Sequence, residues 1–287
     1  MKPLTDTLLL VLTFGMLISC NAKSEKPASE SPQKITIETA DFAFVNIPDT
    51  IVSGLTTFHI KNSGTFPHNA ILVKIPPEHT YDELIQFMNN NMGKHPDWAT
   101  MVGGPSAPLS GESSEATVNL EPGNYAAVCV IPVPAEEPHF MKGMTHPLTV
   151  IEGEGVKTEE PEADVTIVMN DYSFKVTPEI KTGTQTIRVE NEGTQPHEFL
   201  LVRLEEGKEI KDVLGWFGQV ITNKAGPLPE APGTFLNGVS AIDKGVVNYI
   251  TVNFTPGDYA LICPVPDTKD GKPHFAHGMV KQFSVTE

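Results

Sequence analysis

Two sets of metal-binding residue types recur in the 287-residue chain. The first is Pro67-His68, then Cys129, then Pro138-His139-Phe140 and Gly143-Met144; the second is Pro196-His197, Cys263, Pro273-His274-Phe275 and Gly278-Met279. Two imidazoles, one thiolate and one thioether are the donors of a soft transition-metal site. In a blue-copper centre the His2Cys set binds in a plane and a weak Met lies on the axis. A lone Cys or Met is most often a buried apolar side chain. The same order of donors in two places gives the metal reading its weight.

The repeat extends beyond the donors. Asn62-Ser63-Gly64-Thr65-Phe66-Pro67-His68 matches Asn191-Glu192-Gly193-Thr194-Gln195-Pro196-His197, and Glu121-Pro122-Gly123-Asn124-Tyr125-Ala126 matches Thr255-Pro256-Gly257-Asp258-Tyr259-Ala260. The copies are 129 residues apart at the first His, 134 at the Cys, and 135 at the second His and the Met. The extra residues therefore fall in intervening loops, where packed folds tolerate insertion. Two units of about 120 residues result, each a normal domain size. The reading divides the chain into residues 1–19, 20–33, 34–152, 153–163 and 164–287.

The elements that must position the donors read as strands. Ile35-Thr36-Ile37-Glu38, Thr57 to Lys61, Ala116 to Leu120, Thr186 to Glu190 and Tyr249 to Phe254 alternate apolar and polar residues with a period of two. Gly123-Asn124 and Gly257-Asp258 mark tight turns into Tyr-Ala strands that lead to each Cys. Only Tyr81 to Met92 and Glu209 to Gln219 look helical, each as an insertion after the strand of the first His. Many short strands with Gly and Pro between them give an all-β fold of two tandem Greek-key sandwiches, each with a short helical insertion.

The N-terminus reads as an export leader, with an apolar run from Thr7 to Ile18 too short to span a membrane as a mature helix. Leu17-Ile18-Ser19-Cys20 resembles a bacterial lipobox, which implies cleavage before Cys20 and acylation of its thiol. The following Lys-, Ser-, Glu- and Pro-rich stretch to Gln33 has almost nothing apolar to bury and reads as a tether. An acidic linker is expected over 153–163. The expected location is the bacterial cell envelope, with membrane attachment by the lipid anchor alone. With Cys20 acylated, the mature protein would keep only Cys129 and Cys263 as free thiols, one per repeat, so no disulfide forms within a domain.

With these motifs in place, each repeat resembles a cupredoxin, the Greek-key sandwich that carries type 1 copper in plastocyanins, azurins and copper nitrite reductases. Phe66-Pro67-His68-Asn69 is similar to the plastocyanin segment that holds the first His. The family's remaining ligands come from one loop, Cys then His then Met, here Cys129 to Met144 and Cys263 to Met279. The resemblance spans residues 34–287 and implies copper as cofactor, up to two type 1 sites held by His68, Cys129, His139, Met144, His197, Cys263, His274 and Met279. Glu198 stands where the family often has Asn, and Val130 and Pro264 follow the Cys where a hydroxyl residue often does. Those departures bear on redox tuning more than on binding.

The resemblance implies a one-electron carrier with a redox partner protein such as a cytochrome. Copper storage or delivery, and a metal-free structural lipoprotein, stay open on the same residues. A non-enzyme is expected: Val128 and Ile262 precede the cysteines where catalytic-copper proteins supply a His, the chain has no His-x-His, and each loop carries one Cys. No nucleophile elbow or phosphate-binding glycine loop appears. A net charge of −16 argues against nucleic acid as a partner. His59, His79 and His95 read as ordinary surface or strand residues, while Met141, His146 and His277 lie near the ligand loops without recurring in both copies. Phe140 and Phe275 follow the loop His as core residues or as an apolar collar for a partner.

Overall fold

In the computed structural model, residues 31–132, 137–153, 159–222 and 228–287 are described. Cys20, the leader and most of the tether lie outside them, as do residues 154–158 of the expected linker. The first half contains β1 (Gln33–Ala40), β2 (Ala43–Phe44), β3 (Thr50–Val52), β4 (Gly54–Asn62), β5 (Ile71–Ile75), α1 (Tyr81–Asn90), β6 (Thr100–Gly103), β7 (Ser113–Leu120), β8 (Gly123–Val128) and β9 (Thr145–Ile151). The second contains β10 (Val165–Asn170), β11 (Ser173–Thr177), β12 (Gly183–Asn191), β13 (His197–Leu204), α2 (Ile210–Thr222), β14 (Gly233–Phe235), β15 (Val239–Ile242), β16 (Val247–Phe254), β17 (Gly257–Ile262) and β18 (Val280–Val285).

Alternation in the strands builds the layers. In β7, for example, Ser114, Ala116, Val118 and Leu120 are buried while the residues between them are not, and Phe58 and Ile60 of β4 face inward in the same way. One sheet runs β11-β10-β12-β16-β7-β4-β1-β2, the other β18-β17-β13-β15-β6-β5-β8-β9-β3 with β14 paired to β13. Each order reads as one domain followed by the other in reverse. The two halves meet at β16 against β7 and at β15 against β6, both antiparallel.

The two domains therefore share both sheets. Asn248 is fully buried at the junction, where its Oδ1 accepts from Gly104 N–H at 3.1 Å and its Nδ2 donates to Val102 C=O at 2.9 Å. Asp243 Oδ2 accepts from Met101 N–H at 2.7 Å. Gly103, at φ +90°, has no room for a side chain: a Cβ there would lie 2.3 Å from Asn248 Oδ1. The cores interlock as well, since Ala116 belongs to the second domain's core and Ala241 to the apolar layer beneath α1.

Each helix caps the outer face of the long sheet. Helix α1 starts at a capping box, with Thr80 Oγ1 accepting from Glu83 N–H at 3.2 Å and Glu83 Oε2 accepting from Thr80 N–H at 2.8 Å. Its Leu84 and Met88, one turn apart, pack with Ile71, Val73 and Phe140. In α2, Val213 and Trp216 pack with Leu200, Val202 and Ile262, and Trp216 Nε1 donates to Pro229 C=O at 2.9 Å. Phe140 thus serves as core, and Phe275 lies against Phe217 with ring centroids 5.7 Å apart.

Candidate metal centres

The first His of each domain is set by a loop that its sequence motif folds locally. Asn62 Oδ1 accepts from Gly64 N–H at 2.9 Å, while its Nδ2 donates to Phe66 C=O at 2.7 Å and to Pro108 C=O at 3.0 Å. Asn191 repeats this with Gly193 N–H at 2.8 Å, Gln195 C=O at 2.9 Å and Ile242 C=O at 2.8 Å. A buried Asx turn is the reason both copies carry Asn-x-Gly-Thr before the Pro-His.

The glycine in that motif makes room for an outer partner. His68 Nε2 donates to Asp41 Oδ1 at 3.3 Å, and His197 Nε2 to Asp171 Oδ1 at 2.8 Å. A Cβ on Gly64 would sit 2.5 Å from Asp41 Oδ1, and one on Gly193 would sit 2.5 Å from His197 Nε2. Asp41 also accepts from Thr65 N–H at 2.7 Å, and Asp171 from Thr194 N–H at 3.0 Å. Burial pushes both carboxyls up, but the hydrogen bonds from Thr65 or Thr194 and from the histidines outweigh it and hold them below the ordinary carboxylate value. With the proton fixed on Nε2, each His presents the Nδ1 lone pair inward. Asp41 and Asp171 were missed from the sequence, although Asp41-Phe42-Ala43-Phe44 and Asp171-Tyr172-Ser173-Phe174 form a further repeat.

The second His comes from a short 310 turn, His139–Lys142 and His274–His277, entered at a Pro and closed by left-handed Gly143 (φ +99°) and Gly278 (φ +97°). Backbone bonds pinch the loop at its base: His139 N–H to Ile131 C=O at 3.0 Å and Phe140 N–H to Cys129 C=O at 2.9 Å, with His274–Val265 at 2.8 Å and Phe275–Cys263 at 2.9 Å. The nine or ten residues between Cys and His therefore do not separate the donors. Met144 N–H bonds His139 C=O and Cys129 N–H bonds Met144 C=O, both at 3.1 Å, which anchors the fully buried Met144 beside the Cys strand. Met279 repeats this at 3.0 and 3.2 Å and is equally buried.

The result is a compact donor group in each half. His68 Nδ1 and His139 Nδ1 are 2.9 Å apart, with Cys129 Sγ at 4.0 Å from the first and 3.5 Å from the second. In the other half the Nδ1 atoms of His197 and His274 are 3.0 Å apart, with Cys263 Sγ at 4.0 and 3.3 Å. All six side chains are completely buried. A first-row ion with metal–nitrogen bonds of about 2.0 Å and a metal–sulfur bond of about 2.3 Å fits between donors at this spacing. The arrangement suits a soft ion such as copper.

The electrostatics fit as well. Burial pushes the Cys129 and Cys263 thiols up to about 12, and the Glu198 carboxylate adds to that in both domains, against backbone N–H groups of Ile131 and Asn69 in one and of Glu198 and Val265 in the other. Burial, followed by the neighbouring first His, pulls His139 and His274 down to about 4. Each pocket thus offers two neutral imidazoles and a protonated thiol whose proton an ion would displace. Glu198 itself, adjoining His197, is buried and pushed up to about 8 by that burial.

The remaining sequence candidates have other neighbours. His79 stacks on Trp98 at 4.0 Å, His95 lies 3.3 Å from Asp243, and His146 lies 3.0 Å from Asp49. His59 is half-buried in β4, and Met141 packs under α1. His277 lies 3.1 Å from Asp270 in a third group of donors, Asp267, Asp270 and His277.

No family model matches the chain, and no curated protein matches it. Among solved structures it is similar to dithionite-reduced auracyanin of Roseiflexus castenholzii (23% identity, 42% of this chain and 99% of that one, TM-score 0.30). It is similar to the blue copper protein auracyanin A of Chloroflexus aurantiacus (22%, 42% and 100%, TM-score 0.32) and to a multicopper oxidase (14%, 91% and 91%, TM-score 0.27). Likeness at this level says nothing about what the chain does. Its own strand order and paired donor groups make it a two-domain, cupredoxin-like β protein with a soft-metal pocket in each half.

Proposed function

We propose that the chain is a copper protein that carries single electrons, with one type 1 centre per domain. The observation that carries this is the convergence of two Nδ1 atoms and one thiol sulfur in a fully buried pocket, made twice. His68, Cys129 and His139 would hold one ion and His197, Cys263 and His274 the other, and the buried Met144 and Met279 would supply a weak thioether donor to each. Copper supplies one-electron cycling between its two oxidation states when bound. The residues of the chain contribute a fixed pocket: Asp41 and Asp171 orient the first His, the pinched loop fixes the second, and burial excludes water. A pocket held by these bonds would need little rearrangement between oxidation states, which would suit transfer better than delivery of the ion.

Attachment to the bacterial envelope through acylated Cys20, and a basic cytochrome as redox partner, belong to the same proposal. They rest on the lipobox-like sequence and on the net charge of −16. No helix among the described residues is long and apolar enough to cross a membrane. The non-enzyme reading rests on the single Cys in each ligand loop and on a sequence without His-x-His.

The test is to mix reduced, copper-loaded full-length protein with an oxidised basic cytochrome and follow both chromophores. A carrier exchanges electrons at a rate that falls with ionic strength and shows no turnover with oxygen or nitrite. Slow exchange with ready transfer of copper to a chelator would favour storage, and turnover would make the chain an enzyme.

A further inference from the structure

Among the described residues, one group of donors lies outside the two pockets, in the loop that follows Cys263. Asp267, Asp270 and His277 offer one ligand atom each, and the three atoms lie within 4.8 Å of one another. That spread is close to the span of two metal–ligand bonds of about 2.0–2.2 Å. The sequence folds the turn locally. Asp267 Oδ1 accepts from Lys269 N–H at 2.8 Å and from Asp270 N–H at 3.2 Å, and Gly271 N–H closes on Asp267 C=O at 2.9 Å with Gly271 in the left-handed region (φ +72°). His277 completes the group as the last residue of the 310 turn that begins at His274.

Both carboxylates are kept charged. Asp267 Oδ2 accepts from Tyr172 O–H at 2.5 Å and from Gln195 Nε2 at 2.9 Å, and these bonds, Tyr172 first, hold its carboxyl far below the ordinary value. The Lys272 N–H does most to lower that of Asp270. The Lys272 ammonium stands 3.3 Å from Asp270 Oδ2 on a largely exposed side chain, and His277 Nε2 lies 3.1 Å from Asp270 Oδ1, with a proton between them where an ion could bind. A second observation comes from the neighbouring pocket. His274 is completely buried and turns Nδ1 to Cys263, yet its Nε2 has no hydrogen-bond partner: Asp267 Oδ2 is 3.9 Å away, too far for a bond. A buried ring nitrogen left in this state is costly, and it faces the Asp267 side of the group.

We propose that Asp267, Asp270 and His277 form a third metal site, for a divalent ion such as zinc, whose bound water accepts a hydrogen bond from His274 Nε2. Two carboxylate oxygens and an imidazole, with no sulfur and a position left for water, are the donors of an open zinc-type site and not of a soft-copper one. The side chains of Asp270 and His277 are partly exposed, so the ion enters from solvent. It displaces the Lys272 ammonium from Asp270 and one neutral donor from Asp267 Oδ2. The site stands independently of the copper reading, but its consequence rests on that reading. A cation behind the ligating His274 disfavours the more positive, oxidised copper of domain 2, so occupancy of the third site and reduction of that centre favour each other.

The probe is cobalt(II), titrated into copper-loaded full-length protein and followed by bound metal and visible absorption. One further ion per chain is expected, without a thiolate-to-cobalt band, because no sulfur lies among its ligands. Replacing the two exposed ligands together, Asp270→Asn with His277→Gln, should weaken that ion about a hundredfold or more, while Lys272→Gln, which removes the competing ammonium, should tighten it a few-fold. A further ion absent at millimolar cobalt, or one indifferent to the double substitution, overturns the site. If the chain takes up no copper, the copper reading fails on its own: cobalt entering the Cys pockets carries a thiolate band, and the ion lost in the double variant still marks the third site. With copper in domain 2 alone, in Cys129→Ser, saturating zinc should raise the reduced-to-oxidised ratio several-fold at a fixed potential. Zinc bound without that shift overturns the linkage.

Discussion

One residue past the first His, the two domains part: Asn69 in one, Glu198 in the other. Asn69 is fully buried, and its Oδ1 accepts from Val130 N–H at 3.2 Å, tying the first-His loop to the Cys loop. Glu198 offers its backbone N–H to Cys263 Sγ at 3.3 Å, and its carboxyl is buried beside the interface and held mostly protonated at neutral pH. The same pocket geometry thus survives replacement of an amide tie by an acid. What fixes the pocket is the Asx turn, the Asp–His bond and the pinched loop, which both domains share, and the variable neighbours are left to adjust charge.

The largest effect that would break this equivalence is loss of a sulfur. Cys129→Ser and Cys263→Ser should each remove about half of any thiolate charge-transfer absorption and weaken copper binding in its own domain more than a hundredfold, by the order of ligand effects. If either variant erased the signal of both domains, the pockets would not be the independent units the geometry shows. Next come the outer partners: Asp41→Asn and Asp171→Asn should each cost about 10- to 100-fold in affinity in its own half, measured by competition with a chelator.

The Asn69–Glu198 contrast predicts a pH dependence of metal-free stability. A buried carboxyl whose folded value is raised to about 8 keeps its proton while the unfolded chain loses it above the usual carboxylate value, so stability falls as pH rises between about 4.5 and 8. Glu198→Gln should flatten that slope and raise stability at pH 8 by a few kcal/mol in urea unfolding. An unchanged slope would mean that Glu198 is ionised in the native state.

Copper binding itself should strengthen with pH, since each ion displaces a thiol proton held at about 12, while the loop histidines at about 4 are already neutral. A proton released per ion, measured by calorimetry in buffers of different ionisation enthalpy, checks this. The smallest effect belongs to the interdomain pair His95–Asp243. Burial lowers the His95 value, but the Asp243 carboxylate outweighs it and raises it overall, so the pair stabilises below the ordinary His value and fades as pH rises through the raised one. His95→Gln should remove at most about 1 kcal/mol at pH 6.

Much of this was readable in the sequence because duplication filters chance. The ligand sets, the alternating strands and both helices recur in matching places, and each follows from local periodicity or spacing. The fused sheets were not readable, because β6 and β15 are four-residue strands whose pairing depends on edge geometry and on Asn248, far away in sequence. The closure of the Cys–His loops was not readable either, because a count of residues cannot show the Ile131–His139 and Val265–His274 bonds that make it. The Asp-aromatic-x-Phe repeat was visible but carries meaning only once the turn brings Asp41 and Asp171 to the back of the first His.

The most direct measurement is a Cu(II) titration of the metal-free full-length protein followed in the visible range. The account predicts uptake of two ions per chain, each adding an intense thiolate-to-copper band. Absence of uptake, or copper bound without that band, would contradict it.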